Sequence, residues 1–143
     1  MNPVNDPAVP VYATLDALGI TYEKYTHPPV FNSEDVAEHW AAIDGTKVKN
    51  LFLRHKKGDR HYLVILEVSR QADLRQLVKI VGDDRLSFGS PERLLSTLGI
   101  TPGSVSPFGL IHDADRRVRV VIDASLRGAP HLIFHPNINT ASV

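Results

Sequence analysis

Cysteine is absent from the 143 residues. Disulfides, thiolate metal sites and a cysteine nucleophile are therefore excluded, and the composition suits a reducing compartment, so a cytoplasmic location is expected. A net charge of either sign is lacking too: 16 Lys and Arg balance 16 Asp and Glu. Any contact with nucleic acid must then come from local clustering of charge. The stretch 1–10 has neither a basic n-region nor an apolar h-region, and it carries Pro3, Pro7 and Pro10. It is expected to be a short arm over 1–9, neither signal peptide nor membrane span. Also missing are a Walker loop, a His-Glu-x-x-His pair, a Gly-x-Ser-x-Gly elbow and a dinucleotide glycine fingerprint. Serine hydrolase, zinc protease and nucleotidase chemistries lose ground accordingly.

What is present fits one ordinary globular domain, expected over 10–143. The hydrophobic fraction is 43% and the charged fraction 22%, and the length is enough to bury a core without staples. Val11, Leu15 and Leu18 recur at helical spacing and Gly19 stands where a helix ends. A strand is expected over 22–27, stopped by Pro28 and Pro29, then a helix capped by Asn32 or Ser33 and running to about residue 42. Residues 47–56 and 61–68 read as a β-hairpin around Lys57-Gly58-Asp59-Arg60. A helix over 73–81 precedes a short extended piece at 86–88. Ser90-Pro91-Glu92 then sets a capping serine before an N1 proline, with Gly99 closing that helix. Residues 101–107 read as an irregular loop, and 118–122 and 131–135 as strands. The fold class predicted is α+β, with a mixed, largely antiparallel sheet and helices packed against it.

Three groups of residues could carry chemistry. Lys47, Lys49, Arg54, Lys56, Lys57 and Arg60 share one hairpin. Such a strip can neutralise phosphates, and equally it can be a lysine-protected sheet edge. Lys49 with Asn50 heads the apolar run Leu51-Phe52-Leu53, so the lysine stem is expected to be partly buried. The pair could clamp a phosphate and a carbonyl, or simply pack. Finally, Gly103-Ser104-Val105-Ser106-Pro107-Phe108-Gly109 could hold backbone N–H groups toward an ester oxygen, or could be a plain helix-to-strand connection. His131 and His135 have the i,i+4 spacing of a helical zinc pair, but on a strand they would stand ~13 Å apart, too far for one ion. No metal is expected.

At these positions the chain resembles the YbaK-type editing domain family, known from freestanding aminoacyl-tRNA deacylases and from the editing insertion of bacterial prolyl-tRNA synthetases. Three blocks carry the likeness in order: Lys49-Asn50-Leu51-Phe52-Leu53, Gly103 through Leu110, and Phe134-His135-Pro136-Asn137-Ile138-Asn139-Thr140-Ala141. Together they are most similar to the freestanding ProXp-ala branch, which clears alanine from prolyl tRNA. The resemblance implies an essential lysine, Lys49, at the terminal adenosine phosphate or the ester. It implies a Gly-x-x-x-Pro loop, Gly103 to Pro107, that lines the aminoacyl pocket through Ser104, Val105 and Ser106 and presents backbone donors. Asn50 and His135 match pocket positions more loosely, and Lys47, Lys56, Lys57 and Arg60 are the candidate tRNA contacts. No cofactor is implied. Mischarged prolyl tRNA is the implied partner, with prolyl-tRNA synthetase as a second. Three rivals stay open: a cysteine-clearing deacylase, a basic module that binds nucleic acid without chemistry, and a synthetase partner with no activity of its own.

Overall fold

The computed structural model describes residues 6–28, 43, 45–55, 60–82, 85–138 and 140–143. Three α-helices lie among them. In α1 (Ala8–Ala17) the buried residues Ala8, Val11 and Leu15 make one inward stripe. The second, α2 (Leu74–Val81), starts at Asp73, whose carboxylate accepts the Arg75 and Gln76 N–H groups, and ends on Gly82 in the left-handed region. In α3 (Pro91–Leu98), Ser90 accepts the Arg93 N–H ahead of an N1 proline, and Gly99 closes the helix at φ 68. Side-chain caps of this kind are worth about 1 kcal/mol each, which explains why both ends of α2 and α3 fall where the sequence marks them. The expected helix ending near residue 42 and the turn residues 57–59 lie outside the described residues.

One long hairpin organises the sheet. Strand β2 (Thr46–His55) pairs antiparallel with β3 (His61–Glu67), with Val48 opposite Glu67 and Arg54 opposite His61. Parallel to β3 on its far side runs β5 (Val118–Ile122). The other edge of β2 is shared. There β4 (Leu86–Phe88) pairs antiparallel with Leu53 to His55, while β6 (Leu132–Ile133) pairs parallel with Thr46 and Lys47. Val68 N–H already takes the Lys47 carbonyl on the β3 side, so β6 must lie along the edge that β4 uses. Separately, β1 (Tyr25–Thr26) pairs antiparallel with β7 (Ala141–Ser142). The fold is thus α+β with a mixed sheet.

Alternation along β2 and β3 makes two cores. One face carries Val48, Phe52, Leu63 and Ile65 against Leu94 and Leu98 of α3, with Val105, Leu110 and Phe134 packed on them. The other carries Leu53, Tyr62 and Val64 against Leu77 and Val81 of α2.

Several expectations need correction. The strands expected over 22–27 and 131–135 shrink to two residues each: β1 has only the two-residue β7 to pair with, and after β6 the N–H and carbonyl of Phe134 both go to Val143. The sheet itself is mixed and mostly antiparallel as expected, with β5 and β6 each running parallel to a neighbour. Two 3-10 helices, Pro107–His112 and Ala124–Gly128, and strand β7 have no counterpart in the sequence reading.

Candidate active site

Lys49 and Asn50 sit where the outer edge of β2 is open. Among the described residues, β6 covers that edge at Thr46 and Lys47, and β4 covers it from Leu53. Gly89 N–H takes the Phe52 carbonyl, so the stretch from Val48 to Leu51 has no strand alongside. The register of β2 with β3 is unbroken, so consecutive side chains leave opposite faces. Lys49 lies opposite Leu66, on the α2 face; Asn50 lies opposite Ile65, on the α3 face. This corrects the expectation of one clamp: the two residues stand on either lip of an exposed edge. Lys49 is half-buried and forms no ion pair with a described residue.

The 103–107 loop is built by turn chemistry. Ser104 N–H donates to Thr101 O at 3.2 Å, and Gly103 has φ 91. With Pro102 before it, this is a type II turn, whose third position needs positive φ. Gly103 is exposed and owes its identity to that turn. Ser104 and Ser106 are buried and Val105 packs on the α3-side core. The fully buried Ser106 hydroxyl accepts the Phe108 N–H at 3.1 Å, capping the 3-10 helix that Pro107 begins. It donates to Asn137 Oδ1 at 2.9 Å, which ties the loop to the C-terminal segment. Gly109 secures the other side: a Cβ there would lie 2.4 Å from Ile100 Cδ1 and 2.9 Å from Leu98 Cβ, so helix and loop touch at backbone distance.

His135 lies two residues beyond β6, whose paired register with β2 ends at Lys47 and Ile133. His135 is buried, and its Nδ1 lies 3.0 Å from Ala141 O. A carbonyl only accepts, so Nδ1 carries the proton and Nε2 is the acceptor nitrogen of the neutral ring. Burial pushes its pKa below the ordinary histidine value, the Ala141 bond opposes this, and nearby His27 adds to it. The His27 and His135 rings stand 6.0 Å apart, and His27 Nε2 lies 2.8 Å from the fully buried Ser142 hydroxyl. Because the folded pKa is depressed, the unfolded chain binds the proton more readily. Folding stability from this group is complete above the free value of about 6.5 and falls as pH drops through the folded pKa. Melting curves between neutral and mildly acid pH should therefore show the wild type losing more stability than His135→Gln; parallel losses would mean that the ring is not what titrates.

The basic residues do not form one cluster. Lys47 is half-buried at the start of β2, and Arg60 is exposed beyond its end, roughly 26 Å away by strand rise. Lys56 and Lys57 lie outside the described residues. Instead Arg93 of α3 comes to the hairpin end, its guanidinium 3.4 Å from His61 Nε2, with Arg54 opposite His61. A cavity of about 580 Å³ on the α2 face, lined by Leu66, Leu77, Val121 and Asp123, takes in no residue of the 103–107 loop. Sequence reasoning passed over Asn137, Ser142 and His27. Asn137 lay inside a quoted block with no signal beyond its residue type, and the contact of His27 with Ser142 spans 115 residues.

Comparison with known proteins follows from this geometry. The family described as "Aminoacyl-tRNA editing domain" matches residues 27–143. "Prolyl-tRNA editing protein ProX" of Acetoanaerobium sticklandii is 41% identical over 133 residues, covering 93% of this chain and 81% of that protein. The mouse "Prolyl-tRNA synthetase associated domain-containing protein 1" is 35% identical, covering 90% of this chain and 78% of its own length. The "Multifunctional Ser/Thr-tRNA deacylase ProXp-y" of Escherichia coli K12 is 33% identical over 98 residues, covering 67% of this chain and 59% of that one. A solved structure described as a candidate trans-editing enzyme for prolyl tRNA synthetase superposes with a TM-score of 0.76 at 24% identity, covering 96% of this chain and 85% of that chain. At that identity it speaks for the fold.

Proposed function

Given that this chain belongs to the aminoacyl-tRNA editing domain family, we propose that it acts in trans, hydrolysing the ester that joins alanine to a tRNA meant for proline. The observation that carries this reading is the edge of β2, where a half-buried lysine and an asparagine flank a stretch that has, among the described residues, neither a neighbouring strand nor an ion pair to the lysine. An aminoacyl terminus has a matching layout, with phosphate and ribose on one side of the ester and the amino acid on the other. Lys49 holds the phosphate or ester end as a compact point charge. Asn50 and the 103–107 loop, on the α3 face, take the aminoacyl side.

The reaction needs no strong protein nucleophile. Water adds to the ester carbonyl carbon, the carbonyl oxygen takes the negative charge, and the bond to the ribose oxygen breaks as that oxygen gains the proton. The neighbouring ribose hydroxyl assists the water. The protein's task is to position and polarise. Lys47, Lys56, Lys57 and Arg60 contact tRNA phosphates, which fix register and do not choose the amino acid. Prolyl-tRNA synthetase supplies the mischarged substrate. Purified protein should release alanine from alanyl-tRNA bearing the proline anticodon, and excess chelator should leave the rate unchanged. Absence of release would leave a binding module, and a chelator-sensitive rate restored by zinc would bring His131 and His135 back as ligands.

A further inference from the structure

Asn137 carries two features that a simple connector does not need. Its backbone lies in the left-handed region at φ 63, which asparagine tolerates better than most residues but which is still uncommon. Its side chain is 4% exposed. The orientation of its amide follows from Ser106. The Ser106 hydroxyl receives the Phe108 N–H and donates its own proton to Asn137 Oδ1 at 2.9 Å, so the amide oxygen faces it. The NH2 group therefore points away, and Nδ2 is buried with no acceptor among the described residues. On the same side of the sheet, Asn50 Oδ1 is buried with no donor among the described residues. Buried polar atoms are rarely left in this state, and each case asks for an explanation such as a missing ligand. One orphan here is a donor and the other an acceptor. An aminoacyl ester offers the complement of both, a carbonyl oxygen that accepts and an α-ammonium that donates.

We propose that Asn137 is a substrate-binding residue, its Nδ2–H donating to the carbonyl oxygen of the aminoacyl ester while Asn50 Oδ1 accepts from the α-ammonium. The assignment rests on the deacylase reading above and adds a side chain to it. As water adds to the carbonyl carbon, the oxygen held by Nδ2 becomes the oxyanion, so this hydrogen bond strengthens on the way to the transition state. The Ser106 bond has a second role: it fixes the amide, so the Gly-x-x-x-Pro loop acts on the ester through Asn137 rather than only through its backbone.

Asn137→Asp separates the two roles, because it keeps an oxygen to accept from Ser106 and removes the donor; the negative charge it adds is absent from the glycine variant. The expected result is a fall of about 100-fold in kcat on alanyl-tRNA, the size seen when one oxyanion donor is lost, with KM little changed. Asn137→Gly fits the positive φ, guards against misfolding of the aspartate variant, and should fall at least as far. Ser106→Ala, which leaves Nδ2 in place, should lose less than either. Wild-type kcat in a folded Asn137 variant, or a loss confined to KM, would overturn the assignment. A second readout does not depend on turnover: the side-chain amide resonance of Asn137 in isotope-labelled protein, titrated with a non-hydrolysable alanyl-amide of aminodeoxyadenosine and with aminodeoxyadenosine alone. A shift with the alanylated compound only supports the contact. A shift with both, or with neither, removes it. Failure of the deacylase reading would look different, since the wild type itself would then release no amino acid from any charged tRNA.

Discussion

Lys49→Ala is expected to lower alanyl-tRNA deacylation by on the order of 10³-fold, the upper end of what one lost electrostatic contact costs, while thermal stability stays close to wild type. The two halves of that expectation have different origins. Lys49 is half-buried on an edge with no strand beside it and forms no ion pair with a described residue. Among the described residues its ammonium thus joins no network that the fold would miss, and substitutions of this kind stay within about 0.5 kcal/mol. Activity depends on the charge. Lys49→Arg should rescue poorly, because a wide planar fork does not replace a compact ammonium at a fixed point. Single-turnover rates and melting temperatures on the three proteins decide the matter. Wild-type turnover in Lys49→Ala would remove the lysine from the site, and joint loss of activity and stability would make it structural.

The second large effect is the ratio of alanyl to prolyl hydrolysis. A synthetase pocket shaped for proline cannot fully exclude alanine, since a missing methylene is worth only ~1 to 3 kcal/mol. An editing pocket inverts the problem: alanine enters and the pyrrolidine ring clashes, so discrimination of at least about 100-fold is expected from steric exclusion. Such a pocket works only if its wall is rigid. The wall in the proposed reading is the loop with its type II turn at Gly103, its Ser106–Asn137 tie and its proline-initiated 3-10 helix. Gly103→Ala forces a side chain into a φ 91 position, at a cost of roughly 1 to 2 kcal/mol. It should displace the turn and slow alanine release. Pro107→Ala should loosen the helix start and narrow the ratio. Equal hydrolysis of both substrates by the wild type would defeat the sieve, and unchanged ratios in both variants would move it elsewhere in the site.

How far the sequence foretold this site depended on the range of the interaction. Caps were readable, because Asp73, Ser90, Gly82 and Gly99 act within one turn of where they stand. The hairpin was readable from two β-rich runs. The facing of Lys49 and Asn50 followed from strand alternation alone, yet treating neighbours in sequence as neighbours in space concealed it. Gly103 was marked for the site, but its positive φ is explained by the turn. What could not be read were pairings between distant segments: the edge that β4 and β6 share, the Ser106 to Asn137 bond, the approach of Arg93 to His61, and the meeting of His27 with Ser142. No local pattern encodes these. They follow from how two cores stack on opposite faces of one hairpin.

The pairing of β1 with β7 also sets an order of events. The β2–β3 hairpin closes locally and can form within microseconds of its residues becoming available. The bond from His27 to Ser142 instead closes a loop of 115 residues. A chain emerging from the ribosome at about 5 to 20 residues per second therefore holds a folded hairpin for seconds before Ala141 and Ser142 exist to meet β1 and fix His135. During that interval Lys49 is already on its strand, but the C-terminal segment that holds His135 is still missing. A nascent copy would thus carry the charged edge before β1 and β7 have paired, and on the proposed reading it would cleave no ester until residues 141 and 142 had joined the fold.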